Sequence, residues 1–213
     1  VEREALAAFR GVVAPYRLLL VDRLAIAVST DRTQSQLVRW VILLGLTREQ
    51  TLVEAMLTGL RFSRVEIRRG RTLAGAFGIP GAWVESRGVT PRELHRFFRA
   101  AKDCGPEALV LFLTDLLVSP QGAAAGDTTE VCAHLARTAL QAYFESYQTV
   151  VVPPQLVDGT MLIERFGLKP GPQIRQLLGL VAEVQAEGDI HTEAEALAWV
   201  QAFLSHRKQQ AGD

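Results

Sequence analysis

Residues 61 to 102 hold ten Lys or Arg (Arg61, Arg64, Arg68, Arg69, Arg71, Arg87, Arg92, Arg96, Arg99 and Lys102) against three acids, Glu66, Glu85 and Glu93. That segment is +7, and since 23 basic and 23 acidic residues sum to zero over the chain, the remainder is −7. An uneven split of this kind marks an anionic partner for the basic part. The competing reading is a solvated face balanced by acids from elsewhere in the fold. Arg61, Arg64, Arg68 and Arg71 recur at three, four and three, a spacing that lines four guanidinium groups along one helical stripe. Arg92, Arg96, Arg99 and Lys102 do the same about thirty residues later, with His95 alongside and Leu94, Phe97 and Phe98 on the opposite side. Two basic ridges would flank a groove for a phosphate backbone, a task for which the planar, bidentate guanidinium is suited. These eight residues are the expected nucleic-acid contacts.

Other chemistries find little support. There is no His-Asp doublet, no HExxH, no GxGxxG, no Walker loop and no GxSxG. His95, His134, His191 and His206 stand 39, 57 and 15 positions apart, too far for a helical metal pair. Glu193-x-Glu195 is explained by the first turn of a helix, where carboxylates complement the dipole. Cys104 and Cys132 read as buried structural thiols, and without a CxxC pairing they suggest neither a disulfide framework nor a zinc knuckle, which fits a reducing compartment. No catalytic residue and no metal ligand is expected in this chain.

The elements that must carry the basic ridges are helices. An oxygen-bearing cap followed three positions later by Glu or Gln recurs as Thr33 with Gln36, Thr47 with Gln50, Ser63 with Glu66, Thr90 with Glu93, Asp127 with Glu130 and Thr192 with Glu195. Pro91 follows Thr90, where its missing N–H is harmless. Apolar stripes at three and four residue spacing, Leu94, Phe97, Phe98 and Ala101 in one place and Ile174, Leu177, Leu178 and Val181 in another, complete the helical pattern. Ala108 to Val118 is apolar nearly all round and reads as a buried central helix. Loops are expected at 75–83, 119–127 and 148–155. The last of these is an extended connector, because two prolines follow its valines. The expected fold is all-α: an elongated array of about nine or ten helices, divided into 1–150 and 151–213. The greasiest run is interrupted by Asp115 well short of the roughly 20 residues a bilayer span needs. With a charged start and no leader, the expectation is a soluble cytoplasmic protein. Val1 in place of Met suggests a larger parent.

The C-terminal residues carry a resemblance. The run Gly159-Thr160-Met161-Leu162-Ile163-Glu164-Arg165-Phe166-Gly167-Leu168-Lys169-Pro170-Gly171-Pro172, with Ile174, Leu177 and Leu178, then Gly188-Asp189-Ile190-His191-Thr192 and Glu195-Ala196-Leu197, resembles the tail of bacterial tRNA nucleotidyltransferases (CCA-adding enzymes) and related poly(A) polymerases. Upstream, LRFSRVEIRRGRTL and VTPRELHRFFRAAKDCGPEALVLFLTDLL look like the helical body of the subset that carries an HD-type phosphohydrolase domain. The resemblance covers most of 33–205 and implies a degenerate HD-like bundle followed by a small helical tail unit.

The departures are specific. Where the family's metal-binding His-Asp doublet would follow an apolar helix, this chain reads Val41-Ile42-Leu43-Leu44-Gly45-Leu46, and the loop with a further His is shortened to TREQ. In the tail, Met161 replaces an Asp and Arg175 a small Gly, changes that bear on close RNA contact there. The family's catalytic head, with its Gly-Ser loop and Asp-x-Asp strand, has no counterpart in these 213 residues. The resemblance implies that Mg2+ and nucleotide belong to such a head, so no cofactor is expected here and this chain alone is not expected to be catalytic. What it implies for this chain is a body that holds RNA, tRNA above all, for a head elsewhere in the parent. The alternatives are a non-catalytic helical scaffold that binds protein, or an HD phosphohydrolase with displaced ligands.

Overall fold

The computed structural model describes residues 7, 10–29, 32–43, 49–118 and 126–210. Besides helical backbone at 10–13, they include the α-helices α1 Arg17–Ala25, α2 Gln34–Leu43, α3 Gln50–Gly59, α4 Arg64–Ala76, α5 Pro80–Ser86, α6 Pro91–Ala101, α7 Gly105–Val118, α8 Gly126–Glu145, α9 Gly159–Phe166, α10 Pro172–Glu187 and α11 Glu193–Gln210. The described residues hold no strand, only an isolated bridge between Ala27 and Thr33. The fold is all-α. No described helix is long and apolar enough to cross a membrane.

The capping residues do what their chemistry requires. Ser63 and Glu66 form a full capping box at the start of α4. The Thr90 N–H donates to Glu93 Oε2 at 2.7 Å while the Glu93 N–H donates to Thr90 Oγ1 at 3.2 Å. Thr192 and Glu195 repeat the exchange before α11, and the Thr33 N–H donates to Gln36 Oε1 before α2. Thr47 lies outside the described residues, and Asp127 falls inside α8, which begins at Gly126. Leu44 and Gly45, where the HD doublet is absent, also lie outside the described residues.

Two expected loops are largely helical. Within 75–83 only Phe77 to Ile79 separate α4 from α5, because Pro80 starts α5 without needing its own N–H. Tyr147–Val151 is a π-helical turn, not an extended connector: the Val152 N–H reaches back to Tyr147 O at 2.8 Å, and Pro153 then has no N–H to continue it.

The contacts divide the chain into two compact units, one of Val1–Val89 with Phe97–Glu145 and one of Thr90–Arg96 with Ser146–Asp213. In the first, the expected central helix α7 buries Ala108, Leu109, Leu111, Phe112 and Leu113. The apolar stripe of α6 delivers Phe97 and Phe98 into an aromatic chain running Trp83, Phe97, Phe98, Tyr143, Phe144 and Tyr16, with successive ring centroids 4.9 to 5.4 Å apart. Helix α3 lies close along α4 because α4 carries glycines at the contact. A Cβ at Gly70 would come within 2.5 Å of Leu57 Cδ1, and one at Gly75 within 2.1 Å of Gln50 Nε2. In the second unit, α9, α10 and α11 bury Val157, Leu162, Ile174, Leu177, Val181, Val184, Ile190, Ala196 and Val200 together. Asp158 caps α9 through its carboxylate, and Gly167 and Gly188 end α9 and α10 at φ 63° and 86°.

Glu66 binds more than its own helix end. It is 1% exposed and accepts from the Ser63 N–H, from Ser29 Oγ at 2.9 Å and from Arg32 Nη1 at 3.0 Å, tying the segment before α2 to α4. Burial alone would push its carboxyl up. The Ser63, Arg32 and Ser29 hydrogen bonds outweigh that and hold it at about 2, against an ordinary 4.5. Its folded value is depressed, so its contribution is fully present above the ordinary value and is lost as pH falls through about 2. Glu66→Ala is expected to cost about 2–3 kcal/mol at pH 7 from the lost cap and charge-assisted bonds. In denaturant titrations the gap between mutant and parent should narrow below pH 4; a gap independent of pH would overturn this account.

Candidate nucleic-acid interface

The eight expected basic residues separate into four groups. Arg61 is not on α4: it follows the C-cap of α3 with φ 59°, its N–H donating to Thr58 O, and α4 starts only after the Ser63 cap. The capping box that Ser63 and Glu66 form breaks the arginine stripe after its first member. Arg64, Arg68 and Arg71 do share the exposed side of α4, as their spacing requires.

The second ridge is also divided. Arg92 and Arg96 belong to the second unit, where each meets a glutamate of α10: Arg92 Nη2 lies 2.6 Å from Glu187 Oε2 and Arg96 Nη2 lies 2.7 Å from Glu183 Oε2. The Glu183 side chain is only 10% exposed, so this pair is anchored on the acidic side, and the Glu183 hydrogen bond pushes the Arg96 guanidinium further up. Between the two arginines, His95 is buried with Nδ1 at 3.1 Å from Val150 O. It is a core residue and not part of a basic surface. Arg99 and Lys102 fall in the first unit, both exposed. Lys102 does not extend the α6 stripe, because it adopts φ 52° and begins a 3₁₀ turn, Lys102–Cys104. A left-handed lysine is strained by roughly 1–2 kcal/mol.

That turn brings Lys102 to the α4 arginines. A groove of about 600 Å³ is lined by Arg64, Arg68, Arg71 and Thr72 of α4, by Gln50, Glu54 and Thr58 of α3, and by Lys102, with Ile67, Gly75 and Ala100 as its apolar part. The seven residue steps from Arg64 to Arg71, at about 1.5 Å each, make the basic edge roughly 10 Å long. Among the described residues no aromatic side chain lines it. Arg71 pairs with Glu54 at 2.9 Å. Among the described residues Arg64, Arg68 and Lys102 have no ion pair, so three cations face the groove uncompensated. The neighbouring Arg69 is held by Asp103 instead.

Gln50, Glu54 and Thr58 are groove residues that the charge count does not reveal, although their four-residue spacing places them on one face of α3. No group of three His, Cys, Asp or Glu among the described residues converges on a metal-sized space. Cys104 and Cys132 are free and buried, and burial pushes their thiols up to about 12 and about 11, which makes them poor nucleophiles.

The described residues thus define an all-α chain whose basic groove lies between α3, α4 and Lys102. No protein-family model matches the chain, and no solved structure matches it. The chain is 27% identical over 154 residues to the A-adding tRNA nucleotidyltransferase of Deinococcus radiodurans, a match that takes in 71% of this chain and 33% of that enzyme. This chain therefore spans about a third of the length of that relative.

Proposed function

We propose that this chain is an RNA-holding helical region of a protein related to the tRNA nucleotidyltransferases, positioning tRNA for a nucleotidyltransferase head outside these residues. The observation that carries the reading is the groove in which Arg64, Arg68 and Lys102 stand without ion pairs among the described residues. The similarity to an enzyme named for tRNA supports it. Phosphate contacts fix the register of a bound strand and hold its end at a fixed distance, which is the contribution of positioning to a transfer reaction. In this reading the catalytic step, Mg2+ and nucleotide belong to the head. A cytoplasmic setting goes with this reading.

Three phosphate contacts should give log affinity against log salt a slope of about −2.5 to −3 for a tRNA transcript. Fluorescence anisotropy between about 50 and 200 mM salt measures it. Loss of binding even at about 50 mM salt would overturn the reading.

A second reading rests on α3. Leu52, Met56 and Leu60 are 47%, 37% and 47% exposed at four-residue spacing, an apolar stripe of the kind that contacts protein. Were tRNA not bound, the scaffold reading would follow.

A further inference from the structure

We infer that Glu54 is a built-in competitor for phosphate, which engages Arg71 within the groove and sets how tightly RNA is gripped. The inference rests on the RNA reading above. Among the described residues that line the groove, Glu54 is the one carboxylate, set among four cationic side chains. Its Oε2 lies 2.9 Å from Arg71 Nη1, and the two side chains are 45% and 43% exposed. An ion pair this open to water contributes little to stability, so the fold has small need of it. Its electrostatic effect on a polyanion in the same groove is direct. Ionised Glu54 removes one cation from those facing the strand and repels the phosphate that would otherwise lie beside Arg71.

The contrast with the second unit supports this assignment. The Glu183 side chain, 10% exposed, holds Arg96 in a place where a glutamate also joins two helices. Glu54 and Arg71 join α3 to α4, but those helices are already held by Val53, Leu57 and Leu73, each 0% exposed, and by the close approach at Gly70. The remaining consequence of Glu54 is its charge. A protein that must release its RNA after each end-group addition gains from a grip that is not maximal, since affinity differences among related complexes lie mainly in the dissociation rate.

The test is a charge cycle on the full chain, with an unmodified tRNA transcript and a duplex RNA of unrelated sequence as probes. Glu54→Gln should bind both about three- to ten-fold more tightly near 150 mM salt, with a salt slope steeper by about 0.9, as expected for one more phosphate contact. Arg71→Ala, which leaves the Glu54 charge bare, should weaken binding by a similar factor. The double variant, with both charges gone, should return to within about two-fold of the parent. Glu54→Ala provides a version in which no side-chain oxygen can hold Arg71, and α3 tolerates it because Ala is the strongest helix former. If Glu54→Gln and Glu54→Ala keep the parent's affinity and slope while Arg68→Ala weakens binding, the competitor role is wrong and the RNA reading stands. If neither the parent nor any variant binds at about 50 mM salt, both fall.

Discussion

Arg23→Met is expected to destabilise the first unit by about 3–5 kcal/mol at pH 8 and by much less near pH 5, because it leaves the buried Glu107 carboxylate without its cation. Glu107 is 1% exposed on the first turn of α7, with Arg23 Nε at 3.0 Å and Gln34, 0% exposed, donating through Nε2 at 3.3 Å. Arg23 also lies over the Tyr143 ring, its Cζ 5.3 Å from the centroid, and donates to Asp103 O. Burial pushes the Glu107 carboxyl above its ordinary value even with Arg23 beside it. A group whose folded value is raised contributes stability below its unfolded value and loses it as pH rises through the folded value. Removing the guanidinium raises Glu107 further, so the penalty of Arg23→Met must grow with pH. At low pH the carboxyl takes up a proton and the buried charge disappears. Denaturant titrations at both pH values check this. A loss of equal size at pH 5 and pH 8 would mean that Arg23 acts by packing on Tyr143 alone. Adding Glu107→Gln should recover much of the stability at pH 8.

The double variant Arg68→Ala with Lys102→Ala should weaken tRNA binding roughly ten- to fifty-fold near 150 mM salt and make the salt slope shallower by about 1.8, the loss of two phosphate contacts. Duplex RNA of another sequence should lose as much, since contacts to phosphate carry no base information. Arg92→Ala with Arg96→Ala should leave the slope nearly unchanged, because Glu187 and Glu183 already neutralise those guanidinium groups. Its effect should appear in the stability of the second unit, at about 1 kcal/mol or somewhat more, since the pairs are partly exposed while Glu183 is nearly buried. The two double variants thus separate the groove from the basic count. A slope that changes with Arg92 and Arg96 but not with Arg68 and Lys102 would move the RNA surface off the α3–α4 groove. Lys102→Ala should also relieve little strain, as Ala disfavours the left-handed region nearly as much, so a change in binding cannot be read as a change in fold.

Much of the fold was legible because it depends on neighbours in sequence. The exchanges of Ser63 with Glu66, Thr90 with Glu93 and Thr192 with Glu195 each operate within one turn, and three or four residue periodicity places Phe97, Phe98 and Ala101 in a core and Arg64, Arg68 and Arg71 on a common face. Even the misplacement of Arg61 is written locally, since a helix that starts at the Ser63 cap cannot include a residue two positions before it. The π turn at Tyr147–Val151 was harder to read, because valines followed by prolines suit an extended chain equally well.

The sequence by itself determined that this protein is helical, where four of its described helices begin, and that positive charge concentrates between residues 61 and 102. Only the tertiary structure decided which of those charges remain available. Glu183 and Glu187 lie more than eighty positions from Arg96 and Arg92, and Glu54 reaches Arg71 from another helix; the acids that cancel the ridge come from elements no local window contains. Lys102 joins Arg64 and Arg68 because a left-handed turn ends α6, a backbone choice its side chain does not announce. A salt bridge forms wherever packing leaves opposite charges within about 4 Å, and packing is set by apolar faces such as Leu57 against Gly70 rather than by the charges themselves.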